Sequence, residues 1–259
     1  MGGPIGRSLE ELGRFGLLAA ETFAWLFRPP FRRRLLLQQL EFVGNRSLSI
    51  ILLTGLFTGA VFALQSIFAF RLFNAESMVG STVALSLTRE LAPVLTSLMV
   101  TGRCGSAMAA EIGTMRVTEQ IDALASMAVN PVQYLFAPRV LASLIMVPIL
   151  TMVFNVVGTA GAYVVAVYFE GVDPGILLDN VRWFVDPADV YIGFAKAAVF
   201  ALILSLVGCY KGYTTQGGAR GVGLATTQAV VISSVTILVT DYFLTQFINT
   251  FFEQNTWIR

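Results

Sequence analysis

Long apolar runs alternate with short polar stretches along this chain, and their lengths predict helices that cross a membrane. About 20 mostly apolar residues suffice for one crossing. Residues 47–70 carry no charge and meet that requirement cleanly. A second run, about 81–102, contains Arg89 and Glu90, and a third lies between Arg139 and Glu170 with Pro148 as its natural bend. The fourth runs from about 189 to 210 around Lys196, and the fifth from about 227 to 252 around Asp241. The second run has an alternative frame, 91–110, which would bury Arg103 and expose Arg89. Hydropathy leaves both frames open.

The N-terminal pattern has a different period. At 100° per residue, Ile5, Leu9, Leu12, Gly16, Ala19, Ala20, Phe23 and Phe27 gather on one face, while Arg7, Glu10, Glu11, Arg14, Glu21 and Arg28 gather on the other. This predicts an amphipathic helix lying in the membrane interface, with a soluble helix packed on a partner as the alternative. Pro29-Pro30 ends it, and Arg32, Arg33 and Arg34 form a basic cluster suited to anionic headgroups. The expected organisation is therefore an interfacial segment, 1–34, followed by one transmembrane domain, 35–259.

Composition agrees with a membrane protein. Hydrophobic residues make up 56% of the chain, charged residues only 13%, and the mean hydropathy is +0.73. A net charge of +1 gives no basis for nucleic-acid binding. The chain has no histidine, which excludes His-based acid-base catalysis and His-ligated metal sites. Cys104 and Cys209 read as packing residues near helix ends. With the N-terminus on the cytoplasmic side, most Arg and Lys residues fall inside and only Arg71, Arg182 and Arg259 outside. The positive-inside rule chooses that orientation, which puts the loops at about 71–80 and 170–188 and the C-terminus on the outer side.

Ionisable residues within membrane spans are costly and mark pathways or paired sites. Counted at about 1.5 Å per residue from the expected outer ends, Arg89, Glu90 and Lys196 lie roughly 12 Å deep and Asp241 roughly 15 Å deep. Groups of both signs at one level either neutralise one another, for instance Lys196 with Asp241, or line a wet cavity that admits a charged headgroup. Gly55 and Gly59 form a GxxxG pair, and Gly102 and Gly105 lie in a second run of small residues, so all four are expected to pack helices closely, within the chain or between copies.

Between the second and third spans, Val117, Ile121, Leu124 and Ala128 recur at helical spacing, with Arg116, Glu119, Gln120 and Asp122 on the other faces. Periodicity allows this cytoplasmic helix either to dock into a protein groove or to rest on lipid. The stretches Arg89-Glu90-Leu91-Ala92-Pro93-Val94-Leu95, Gly102-Arg103-Cys104-Gly105-Ser106-Ala107 and Glu111-Ile112-Gly113-Thr114-Met115-Arg116-Val117-Thr118-Glu119-Gln120-Ile121-Asp122-Ala123-Leu124 resemble the signature of the MlaE (YrbE) permeases. Those are the membrane subunits of ABC transporters that work with MCE proteins. The likeness extends through Asn130-Pro131, Pro138-Arg139, Pro148, Lys196 and Asp241. Ala92 departs from it, standing where the family often has glycine.

The resemblance implies an all-α permease of the bacterial inner membrane that dimerises and supports a periplasmic MCE-protein hexamer. It further implies cytoplasmic ABC ATPase subunits bound through Glu111, Arg116, Thr118, Glu119, Gln120 and Asp122, and a phospholipid cargo moved between inner and outer membranes to keep outer-membrane lipid asymmetry. Arg89, Glu90, Lys196 and Asp241 would line the lipid cavity. No G-x-x-x-x-G-K-[ST] loop occurs, so ATP and Mg would belong to the partner ATPase and the chain itself is expected to be no enzyme and to carry no cofactor or metal. The alternative is an ion-coupled secondary transporter with Glu90 and Asp241 titrating, against which stand an odd span count and no internal repeat.

Overall fold

The uncharged run at 47–70 forms one helix, because every backbone polar group in a bilayer must be satisfied within its own segment. In the computed structural model, which describes residues 4–26, 28 and 33–251, this helix is α3, Asn45–Arg71. The chain continues as α4 (Val79–Ser86), α5 (Ala92–Val100), α6 (Ser106–Val117), α7 (Gln120–Ser126), α8 (Ala137–Val164), α9 (Pro174–Phe184), α10 (Pro187–Tyr213) and α11 (Gly218–Phe251). Two helices, α1 (Pro4–Leu26) and α2 (Arg33–Val43), precede them. Among the described residues, five stretches are long and apolar enough to cross a membrane: Arg33–Arg71, Glu76–Val117, Val132–Phe169, Pro187–Tyr213 and Gly218–Thr250. The protein is an all-α integral membrane protein. Phe27, Pro29-Pro30, Arg32, Phe252 and Arg259, named in the sequence reading, lie outside the described residues.

The two frames for the second span prove to be one helical run. Glu76–Val117 extends over 42 residues, about 60 Å at helical rise, so it contains both Arg89 and Arg103. It is widened at two places by π-helical turns, Leu87–Leu91 and Thr101–Gly105. The first of these, and the π-helical turn Val132–Phe136, end two residues before a proline, Pro93 and Pro138 respectively. Proline has no N–H to give the carbonyl four residues back, which loosens the α-helical ladder at that point.

The chain divides into two compact units. One comprises 44–100, 146–200 and 237–259. Its core holds Ile51, Ile67, Leu87, Leu150, Phe154 and Phe200. A Cβ added to Gly59 would stand 1.8 Å from the Gly158 carbonyl oxygen, and one on Gly161 2.3 Å from that of Leu56, so α3 and α8 touch backbone to backbone. Gly55 belongs to the same contact, facing Phe154. The region 170–188, expected to be a loop, contains α9. Asp173 caps it by accepting from Ile176 N at 3.0 Å, Pro174 follows at the first helical position, and Leu177 packs beside Gly80.

The other unit comprises 1–43, 101–145 and 201–236. Its core holds Val43, Met108, Ile112, Val140 and Leu204, with Cys104 and Cys209 buried and not joined in a disulfide. The α1 helix shows a second, packed stripe beside the expected apolar one. Leu9, Leu12, Gly16, Ala20 and Phe23 of the expected apolar stripe are exposed. The packed stripe lies roughly a quarter turn away: Leu26, with Phe15, Ala19 and Trp25, meets Ala137, Val140 and Leu206. Phe15 also meets the Tyr210 ring edge-on at 5.3 Å, and Tyr210 donates to the Glu11 carbonyl at 3.2 Å. The helix thus has two apolar faces, and the wider one is left free. Arg103 donates to the Phe42 carbonyl at 3.0 Å, satisfying a group at the C-terminal end of α2.

The glycine contacts give a direct test. Gly59→Ala is expected to destabilise the folded protein by at least about 1–3 kcal/mol, since the added methyl meets backbone that cannot rotate away. Gly102→Ala, with open space at its Cβ position, should stay within about 0.5 kcal/mol of the parent. Unfolding midpoints in detergent micelles would read both.

Candidate functional site

Arg89 and Glu90 are neighbours in the π-helical turn Leu87–Leu91, and successive helical residues diverge by about 100°. They therefore reach different partners. Arg89 Nε donates to Asp189 Oδ1 at 2.6 Å. Asp189 sits in the first turn of α10, where a carboxylate is favoured by the helix dipole, and its second oxygen accepts from Asp186 N at 2.9 Å. Glu90 faces Lys196, whose Nζ donates to Glu90 Oε2 at 2.5 Å and to Thr245 Oγ1 at 2.7 Å. Asp241 Oδ1 completes the arrangement 3.2 Å from the ammonium, an ion-pair contact that lacks hydrogen-bond alignment.

Gly193 makes this possible. A Cβ there would fall 2.3 Å from the Thr88 carbonyl, so only glycine lets α10 approach the turn that carries Glu90. Lys196 lies three residues on, along the same face of α10. Thr245, one turn after Asp241 in α11, accepts from Lys196 and has one proton to give, either to the Asp241 carbonyl at 2.9 Å or to Glu90 at 3.2 Å.

The four charged residues picked from the sequence are thus brought together, and the pairing of Lys196 with Asp241 is present. Three features were not foreseen. Glu90, not Asp241, makes the close contact with Lys196. The partner of Arg89 is Asp189, which lies at the margin of its span and was passed over as a boundary residue. Gly193 and Thr245 carried only a weak signal, a small and a hydroxyl residue each one turn from a charged one. Accessibility also differs from expectation. The Lys196 side chain is 1% exposed, whereas Glu90 and Arg89 are 39% and 35% exposed. Lys196 holds the cluster together, and Arg89 and Glu90 present its reachable charge. With Asp189 and Asp241, three carboxylates meet two cations.

The segment expected to meet an ATPase differs from one continuous helix. α6 stops at Val117, Glu119 takes a left-handed backbone with φ 59°, and α7 spans only Gln120–Ser126. Ala128, also left-handed, falls beyond it. The Val117–Ala128 stripe therefore shrinks to Ile121, which is buried, and Leu124, which is partly so. Arg116 bridges the break to Asp122 at 2.7 Å. Thr118 donates to the Thr114 carbonyl at 2.8 Å, and Glu111 pairs with the buried Arg139 at 2.8 Å. Thr118, Glu119, Gln120 and Asp122 are exposed. Of the small residues, Gly105 meets the backbone of Gly208, while Gly102 is exposed with nothing among the described residues near its Cβ position.

Removing the buried cation should be costly. Lys196→Met is expected to lower stability by about 3 kcal/mol, because Glu90 and Asp241 lose their counter-charge. Adding Glu90→Gln and Asp241→Asn should recover part of that loss. Unfolding midpoints of the single and triple variants would check it, and full additivity would contradict the coupling.

Comparison with known proteins places this arrangement in context. The family described as Permease MlaE matches residues 36–247. A probable ABC transporter permease protein of Rickettsia conorii is 45% identical over 237 residues, 92% of each chain. The intermembrane phospholipid transport system permease protein MlaE of Haemophilus influenzae is 40% identical over 240 residues, 90% of each chain. The chloroplast protein trigalactosyldiacylglycerol 1 of Arabidopsis thaliana is 39% identical over 231 residues, covering 89% of this chain and 66% of its own. With the match extending from α2 to α11 and including every residue of the charged cluster, this chain belongs to the MlaE permease family.

Proposed function

We infer that this chain is the membrane-spanning subunit of an ABC transporter that moves phospholipid between the inner and outer membranes of a bacterium, in the service of outer-membrane lipid asymmetry. The observation that carries the reading is the cluster itself. Arg89 and Glu90 expose opposite charges side by side on otherwise apolar helices, with Lys196 buried behind them. Such a pair suits a phospholipid headgroup, since charge-assisted hydrogen bonds are strongest where water is scarce. The phospholipid transport named for the Haemophilus relative supports the same cargo.

In this reading two copies enclose a cavity whose apolar walls hold acyl chains while Arg89 and Glu90 meet the headgroup. The N-terminus lies in the cytoplasm and the C-terminus in the periplasm, with the exposed apolar face of α1 resting in the interface beside the basic cluster at the end of the 1–34 segment. Cytoplasmic ATPase subunits, holding ATP and Mg, engage the exposed groups of Thr118, Glu119, Gln120 and Asp122, and a periplasmic MCE-protein hexamer receives or delivers lipid. Conformational change in the ATPases reaches the chain through the Arg116–Asp122 bridge across the α6–α7 turn. The ion-coupled alternative loses ground because the Rickettsia relative is named as an ABC permease.

Two measurements test this reading. In proteoliposomes with the ATPase and MCE partners, compared at equal amounts of folded, reconstituted protein, Arg89→Ala should reduce lipid transfer about tenfold, the loss of one charge-assisted contact. Transfer at the parental rate would refute the headgroup role. Glu119→Arg should markedly reduce the amount of ATPase that copurifies with the chain, and undiminished copurification would remove docking from this turn.

A further inference from the structure

A cleft of about 520 Å³ opens where the last turn of α10 and the first turns of α11 meet α1 and the end of α6. Three cations line it, Arg14 of α1, Arg116 of α6 and Lys211 of α10, against a single carboxylate, Glu11. Each cation has donors to spare. Arg14 shares one edge with Glu10 at 2.5 Å, an exposed i,i+4 pair that contributes little. Arg116 gives Nη1 to Asp122 and lies over the Tyr213 ring at 5.7 Å, leaving further guanidinium donors. Lys211 has no carboxylate partner among the described residues, and its ammonium sits 5.9 Å from the centre of the Tyr210 ring.

The neutral groups in the wall point to the same ligand chemistry. The hydroxyls of Tyr210, Thr214 and Thr215 already donate, to the carbonyls of Glu11, Tyr210 and Lys211. What remains toward the cleft is a surplus of charged donors, so a fitting occupant has several acceptor oxygens and negative charge. The tight turn that closes the cleft needs Gly217 and Gly218, both with positive φ, and it places Gln216 at the rim. Tyr210 and Tyr213 in the last turn of a membrane-spanning helix are residues of the kind that sit at headgroup level.

We propose that this cleft binds a phosphate-bearing anion, either the headgroup of an anionic phospholipid or a free phosphate, independently of the transported cargo. Its phosphate contacts Lys211, Arg14 and Arg116. Because Arg116 also bridges to Asp122 of α7, an occupant adjusts the turn that carries Glu119, which makes the cleft a regulatory site. Basic pockets at the ends of membrane helices bind phospholipid headgroups by the same physics.

The test uses the full-length chain in zwitterionic detergent, titrated separately with short-chain phosphatidylglycerol and with inorganic phosphate. Lys211→Ala should weaken binding about tenfold, the loss of one charge-assisted contact, and Lys211→Arg should restore most of it. Arg14→Ala, an exposed position that leaves the core untouched, should weaken it as well. Binding of the lipid alone assigns the site to a headgroup; binding of phosphate with similar strength assigns it to a soluble anion. If neither probe binds, or both bind Lys211→Ala as well as the parent, the proposal is overturned. It is likewise overturned if Lys211 is shielded from an amine-reactive reagent only when the ATPase subunit is present, since the cleft is then a protein-docking surface.

Discussion

A lysine ammonium enclosed among apolar helices sets the terms for half of this structure. Taking an ion out of water costs several kcal/mol even after the surroundings relax, and the cost is met only by opposite charge and hydrogen bonds in good geometry. Lys196 has all of these: Glu90 from the widened turn, and Thr245 and Asp241 from α11, so its partners come from two other passes of the chain. The three helical segments must therefore keep their register to within a few tenths of an ångström. The π-helical turn, the glycine at 193 and the threonine one turn after Asp241 are the local devices that achieve it. The second pair, Arg89 with Asp189, fastens the start of α10 to the same turn from the other side.

The consequence is a division of labour among like residues. The buried cation organises the cluster and the pair beside it stays accessible, so charges that look equivalent in a hydropathy plot differ in their surroundings.

Much of this was legible in the sequence because the bilayer imposes a length on apolar runs and penalises every charge within them. The five crossings, the residues Arg89, Glu90, Lys196 and Asp241, and their nearness to one another all follow from counting residues inward from span ends. What escaped is information that lies outside periodicity. Asp189 stood at a boundary, where a carboxylate carries no penalty and so no signal. α9 was hidden because an outer segment is expected to be a loop, although Asp173-Pro174 is a helix-start signal. The second stripe on α1, through Phe15 and Leu26, escaped because it is narrower than the apolar face that the chain leaves exposed. The break at Glu119 was invisible, since a non-glycine residue in left-handed backbone departs from what its type favours and is held there by its context.

The backbone contact between α3 and α8 has a further implication for how the molecule moves. Side chains at an ordinary helix interface absorb a shift by changing rotamer, but Gly59 against Gly158 and Gly161 against Leu56 offer peptide planes with nothing to rotate. Sliding one helix past the other would collide carbonyls within a fraction of an ångström. This seam behaves as a weld, so whatever opens and closes during a transport cycle must swing these two helices as a single lever and place its hinge elsewhere.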